Sequence, residues 1–251
     1  MPARVDTDII FSSQYIQRSC AHEIFRYSLE AAALGNAREL GGYTAQGGKS
    51  VKHGVLLRTA ELSGAASTDI LRLQNVYNLA VIADLRMSHE VAQLPDPVIQ
   101  GAKYLHLKIM DEAALMKDLN SQDLEALRNG DKVGMLIRAV KRGVVGEHMY
   151  IDFLSGEQGK DRTGCAAMLI LAALGVGENT ILADFALTNH FNAELIKAQR
   201  EMLVDMGYSG SELDKIMKAF YEVDPQYLVN AINWLRENYG SSEGAKSCIL
   251  L

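Results

Sequence analysis

Two cations one residue apart, Lys160 and Arg162, close the stretch Ser155-Gly156-Glu157-Gln158-Gly159-Lys160-Asp161-Arg162-Thr163-Gly164. An arginine fork can hold two oxygens of one anion at once, and the lysine adds a second positive charge. The apolar run Met149-Tyr150-Ile151-Asp152-Phe153-Leu154 before this stretch reads as a short buried strand. The run from Cys165 to Leu174 after it reads as a buried helix that stops at Gly175. A strand, a glycine-bearing loop and a helix start aim several backbone N–H groups at one point. The helix terminus adds about half a positive charge there. The chemistry implied is anion binding. A nucleotide P-loop is excluded, because Gly-x4-Gly-Lys-Ser/Thr is absent from this stretch.

The residue order is more specific than a generic anion site. It resembles the phosphate-binding loop of cysteine-dependent tyrosine phosphatases, His-Cys, five residues, then Arg. Within them it is similar to the bacterial tyrosine and phosphoinositide phosphatases whose loop ends Gly-Lys-Asp-Arg-Thr-Gly. Residues Gly159 to Gly164 match that ending without a gap. Four further segments resemble the same family in the same order: Asn36-Ala37-Arg38-Glu39-Leu40-Gly41-Gly42-Tyr43, Arg58 to Ser63, Asp84-Leu85-Arg86, and Asp184 to Asn189. The resemblance covers about residues 36 to 240. It departs where chemistry starts: six positions before Arg162, at the nucleophile, stands Gly156, and Ser155 replaces the preceding histidine.

In an intact loop of that family a thiolate attacks phosphorus while loop amides and the arginine hold the other oxygens, and an aspartate protonates the leaving oxygen. Carried onto this chain, the catalytic positions are Asp111, Asp161, Arg162 and the vacated Gly156, with Glu112 second to Asp111 as general acid. The phosphate cradle is Glu157, Gln158, Gly159, Lys160, Asp161 and Arg162. No cofactor and no metal are expected. The expected partners are a phosphorylated protein or a phosphoinositide, and phosphate or sulfate in the loop. Ser155 is one residue too early to attack, Cys165 is expected to face the core, and Glu157 would repel phosphate through its side chain. The expected behaviour is phosphate-ester binding without turnover. Two other readings remain: a working phosphatase whose cysteine has been replaced at Gly156, and an interaction module carrying a relic loop.

The remaining pattern supplies the scaffold. Gly41-Gly42 reads as a tight turn, and Arg38 as one side of an ion pair with Glu39 or a later acid, or as part of a pocket floor. Val55 to Arg58 reads as a strand, and a helix opens at Thr68 with Ser67 or Thr68 as its cap. Leu79 to Ala83 reads as a strand buried on both faces, ending at Asp84 and Arg86, which are expected to pair. Met87 to Gln93 is helical and halts at Pro95. Lys103 to Lys108 alternates as a half-buried strand. Ala113 to Gly143 is helical with a break at Asn129-Gly130. Beyond Gly177 helices are expected over Glu178 to Thr188, Phe191 to Met206, Gly210 to Tyr221 and Pro225 to Tyr239, with Leu228, Ile232, Trp234 and Leu235 in the core. The fold class is α/β and phosphatase-like, a central mixed sheet flanked by helices with a helix-rich C-terminal third. One domain is expected over 1–251: a helical segment at 1–35, an α/β core at 36–175 and a helical part at 176–251.

Composition bounds the function from outside. The 251 residues are 48% hydrophobic with a net charge of −6. That supports a folded core and argues against a nucleic-acid partner, which calls for a basic face. The apolar runs are too short for a bilayer, so no membrane span is expected, and the polar N-terminus does not read as a secretory signal. Cys20, Cys165 and Cys248 are odd in number and lack zinc spacing, which fits reduced thiols in a cytoplasm, with export as an effector the alternative. The ending Cys248-Ile249-Leu250-Leu251 has the form of a prenylation box, but only Lys246 precedes it, and coincidence is the expectation.

Overall fold

Two short strand pairs and a run of longer helices build the chain in the computed structural model, which describes residues 34–107, 120–143, 149–150 and 161–240. Strand β1 (Arg38–Glu39) pairs antiparallel with β2 (Leu57–Arg58), placing Arg38 opposite Arg58. The two glycines after β1 are each required. Gly42 has φ 85°, a region side chains avoid. A Cβ on Gly41 would lie 2.7 Å from the His53 Cα and 2.9 Å from the Lys52 carbonyl. Helix α1 spans Ser67–Asn75. Its N-cap position is held by Ala66, not by Ser67 or Thr68, because Asp69 reaches back and accepts from the Ala66 N–H at 3.3 Å.

Strand β3 (Val81–Asp84) runs parallel to β4 (Lys103–His106), with α2 (Ser88–Gln93) in the connection. The expectation that β3 is buried on both faces does not hold. Ile82 packs with Leu73 and Ile99, while Val81 on the other face is 48% exposed. Among the described residues β3 has one neighbour, β4, and one apolar layer against it. Helices α3 (Ser121–Arg128) and α4 (Lys132–Lys141) follow, separated at Gly130 with φ 76° as the sequence predicts. Asp131 caps α4 by accepting from the Gly134 N–H at 2.9 Å. Met149 and Tyr150 are buried but have helical backbone, so the predicted strand does not include them. Tyr150 instead packs its ring edge-on against Phe185 and Tyr227. Residues 151–154 of that predicted strand, and the predicted N-terminal helical segment up to residue 33, lie outside the described residues.

The C-terminal part is helical as read from the sequence: α5 (Arg162–Ala173), α6 (Glu178–Phe191), α7 (Ala193–Asp205), α8 (Gly210–Phe220) and α9 (Pro225–Tyr239). Gly175, at φ 79°, ends α5. Asp224 starts α9 by accepting from the Gln226 N–H at 3.0 Å, with Pro225 in the first turn. Helix α5 is not buried all round: Cys165, Met168 and Leu171 face the core, while Ile170 is 39% exposed. These three residues join Phe185, Leu228, Ile232 and Leu235 in the main core, with Trp234 packed at its edge. A second core joins Ile137 of α4 to Leu203, Ile216 and Met217 of α7 and α8.

One buried charge cluster ties the β1–β2 pair to the helices. Arg38 donates from Nε to Asp184 Oδ1 at 2.8 Å and from Nη2 to the Asp184 carbonyl at 2.8 Å and Thr188 Oγ1 at 3.1 Å. Arg58 donates from Nη1 to Asp184 Oδ2 at 2.9 Å, and the Tyr43 hydroxyl donates to Oδ1 at 2.9 Å. Burial alone would push the Asp184 carboxyl up, but the charges of Arg38 and Arg58 and the hydrogen bonds bring it down to about 2. Arg38 thus pairs with a later acid, as one sequence reading has it, and that acid is Asp184.

A depressed carboxylate contributes stability that is present above its unfolded pKa and lost as pH falls through the folded one. Unfolding free energy of the native chain is therefore expected to fall from about pH 4 towards pH 2, where the unfolded Asp184 binds the proton first. Asp184→Asn should flatten that slope and lower stability at pH 7 by about 3–5 kcal/mol, since two buried guanidinium groups lose their counter-charge. Urea titrations at a series of pH values measure both.

Candidate active site

The loop's cation enters the described structure at the start of α5. Asp161 takes φ 58° and ψ 42°, the left-handed conformation that Asp tolerates better than most residues, and its carbonyl accepts the first helical bond from the Cys165 N–H at 2.9 Å. This turn places Arg162 in the first helical turn. Its side chain is 18% exposed, facing outward from the core that Cys165 enters.

Arg162 is met end-on by a carboxylate from the β3 side of the molecule. Nη1 donates to Glu90 Oε2 at 2.7 Å and Nη2 to Glu90 Oε1 at 2.9 Å. Glu90 lies in the first turn of α2, and its Oε2 also accepts from the Met87 N–H at 2.6 Å. Burial pushes the Glu90 carboxyl up, but the Arg162 hydrogen bonds and charge outweigh it and hold the group below the usual glutamate range. Glu90 therefore stays ionised at neutral pH.

The turn that carries Glu90 is itself tied down. Asp84, at the end of β3, accepts from Arg86 Nη2 at 2.7 Å and from the Tyr104 hydroxyl at 2.6 Å. Arg86 Nη2 also reaches Asp96 Oδ1 at 2.8 Å, and that oxygen accepts from the Leu62 N–H at 3.0 Å. His106 Nε2 lies 2.7 Å from the Arg86 carbonyl, which makes that nitrogen the donor. Burial raises the Asp84 pKa, but Arg86 and Tyr104 bring it down to about 2. Burial and the neighbouring Asp84 push Tyr104 up to about 12. Asp84 and Arg86 thus pair with each other, as the sequence predicts.

Behind the loop the packing is tight. A Cβ on Gly164 would overlap the Phe185 ring, with Cδ2 at 2.9 Å. Cys165 has no exposed surface, and burial followed by the Asp161 charge pushes its thiol well up, against a smaller opposing effect of Arg58. A thiol held neutral and enclosed is a poor nucleophile.

Of the residues the sequence nominates, Asp161 and Arg162 are placed together at the head of α5. Gly156, Glu157, Gln158, Gly159, Lys160, Asp111 and Glu112 lie outside the described residues, as does the Cys248 ending. Sequence reading missed Glu90 as the partner of Arg162, and Asp96 and Tyr104 as supports of the turn. Among the described residues no His, Cys, Asp and Glu group could hold a metal ion, and no helix is long and apolar enough to cross a membrane.

A family model described as the tyrosine phosphatase family matches residues 29–244. The chain belongs to the tyrosine phosphatase family. It is also similar to a Cupriavidus necator protein named "Putative tyrosine-protein phosphatase", 27% identical over 229 residues, covering 86% of this chain and 81% of that one. The mixed α/β architecture described above agrees with that membership.

The close approach of α5 and α6 at Gly164 is a packing constraint of this phosphatase-family chain that a substitution can read. Gly164→Ala is expected to lower stability by about 1–3 kcal/mol through overpacking. Combined with Phe185→Leu, which removes the clashing ring edge, the loss should be smaller than the sum of the two single losses in urea titrations.

Proposed function

We propose that this chain binds phosphate monoesters of a phosphoprotein or phosphoinositide in the loop before α5 and does not hydrolyse them. The observation that carries the reading is the residue pair at the two ends of the loop. Arg162, the anion clamp, is present and held in place by Glu90. Gly156, six positions earlier, offers no atom to attack phosphorus. Loss of the sole nucleophile costs on the order of a million-fold in turnover in a well-studied protease. Binding does not need that nucleophile: the loop amides, Lys160 and Arg162 supply the donors, and the negative thiolate of an active loop is gone. Asp111 is assigned as the general acid that an active chain would use on the leaving oxygen. The coincidence of Lys160, Asp161 and Arg162 resembles phosphatases that accept phosphoinositides besides phosphoproteins, which favours a broad ligand range.

Calorimetry with inorganic sulfate and phosphate is expected to show binding that Arg162→Ala weakens at least tenfold. A charge-assisted hydrogen bond is worth about 1.5–3 kcal/mol, and about 1.4 kcal/mol is a factor of ten. The native chain should leave an aryl phosphate intact. Gly156→Cys should turn it over, and adding Asp111→Ala should then slow it by about 10²–10⁴. Turnover by the native chain would overturn the reading. Silence of Gly156→Cys with sulfate binding retained would leave a binding module whose acid or loop geometry has been lost.

A further inference from the structure

We propose that Arg138 and Arg142 of α4 form an oxyanion site of their own, built on residues outside the loop before α5, that takes a phosphate or sulfate group. The two lie four positions apart and so share one face of the helix. Both point at one carboxylate. Arg142 pairs through Nη2 with Asp123 Oδ2, and Arg138 Nε lies 3.9 Å from Asp123 Oδ1. Asp123, near the start of α3, has no exposed surface. A reciprocal pair of hydrogen bonds fixes it there. Its Oδ2 accepts from the Asn120 N–H at 3.0 Å, and Asn120 Oδ1 accepts from the Asp123 N–H at 2.9 Å. The acid therefore stands behind the two guanidinium groups, whose side chains remain 38% and 30% exposed.

The cluster leaves donors unused. At 3.9 Å Arg138 Nε and Asp123 Oδ1 are too far apart to bond, and both atoms are enclosed without a hydrogen-bond partner. The other acid beside Arg138 is Asp131, whose Oδ2 lies 3.6 Å from Nη1. Asp131 is half exposed and already caps α4 by accepting from the Gly134 N–H through Oδ1. Among the described residues Arg138 donates no hydrogen bond, although a guanidinium carries five N–H groups. Two guanidinium charges thus meet one buried carboxylate, and the surplus faces outward. The surroundings have the same sign. Residues 121–142 carry Arg128, Lys132, Arg138, Lys141 and Arg142 against Asp123, Glu125 and Asp131, in a chain of net charge −6. Lys141 does not join the site, because Glu212 holds it at 2.6 Å. A cationic element on an acidic molecule concentrates anions locally. An oxyanion lying across Arg138 and Arg142 would use the donors that the fold leaves unpaired.

The rival role is a clamp alone: two cations near the C-terminal end of α4 that complement the helix dipole and tie α4 to α3. A clamp predicts a stability loss when an arginine is removed and no response to oxyanions. Asp131 separates the two roles. Asp131→Asn keeps a side chain able to cap the Gly134 N–H but removes the charge that competes for Arg138. An anion site then binds more tightly, whereas a clamp gains nothing.

The test is an NMR titration of the full chain with sulfate and with inorganic phosphate at constant ionic strength, chloride serving as the control. The readout is the backbone amides of residues 132–143. Saturable shifts are expected with both oxyanions and not with chloride. Arg138→Ala should weaken them about tenfold, the equivalent of one charge-assisted hydrogen bond. Arg138→Lys, which keeps the charge without the fork, should fall between, and covers the case in which Arg138→Ala shifts the urea midpoint. Asp131→Asn should tighten binding, and Arg162→Ala should leave the α4 shifts in place, so this site and the loop before α5 fail or stand separately. A soluble inositol bisphosphate is the third titrant. Shifts that need both Arg138 and Arg162 mark one ligand spanning the two sites, and shifts that need Arg138 alone mark a separate phosphate. Shifts that are absent, matched by chloride or indifferent to Arg138→Ala and Arg138→Lys overturn the proposal.

Discussion

A single buried carboxylate shared by two arginines decides how the parts of this chain meet. Asp184 on α6 receives Arg38 from β1 and Arg58 from β2, positions 146 and 126 residues away in the sequence. Neither partner can be removed cheaply, because each departure leaves charge in a place water does not reach. The arrangement therefore specifies geometry more than it adds net stability. The same α6 carries Phe185, whose ring lies against Gly164 of α5, so the strand pair and the helix that begins at Arg162 are referred to one point.

Local signals in the sequence survive folding where the cause is itself local. Pro225 opens α9, Gly175 ends α5 and Gly130 separates α3 from α4, because a fixed φ or a missing Cβ acts on the residue that carries it. Signals whose meaning depends on distant partners fare differently. Ser67 and Thr68 look like caps, yet Asp69 supplies the capping oxygen from inside α1. The apolar run ending β3 reads as doubly buried, yet the layer that would cover Val81 is not determined by the run itself. Arg38 reads correctly as half of an ion pair. The adjacent Glu39 is the obvious partner by spacing, but it instead accepts from the Gly54 N–H and pairs with His53. Alternation on a strand sends neighbours to opposite faces, so Arg38 goes inward and Glu39 does not.

The site follows the same division. Arg162 is legible because it belongs to a contiguous run of residues that resembles the family loop. Glu90 is not, since 72 positions separate it from Arg162 and its place in the first turn of α2 already has an ordinary explanation. An acid at the third helical position caps the backbone, and Glu90 does accept from Met87. That sufficient local role conceals its pairing with Arg162. The signal that could have exposed it is the combination of a depressed carboxylate and a half-buried position at the carboxyl end of a parallel strand, where ligand crevices form in α/β sheets. Both require the fold.

The chain's overall charge of −6 adds a further constraint on what this arrangement can do. A net negative molecule repels a phosphate dianion at long range, so attraction has to be created at short range, where screening by salt is weakest. A guanidinium anchored on one side by an ionised glutamate meets that demand in a particular way. The Arg162–Glu90 pair is nearly neutral from a distance, so any effect it has on an anion acts at short range. Under the proposed phosphate-binding function, selectivity for a tetrahedral oxyanion would rest on directed N–H donors more than on bulk charge.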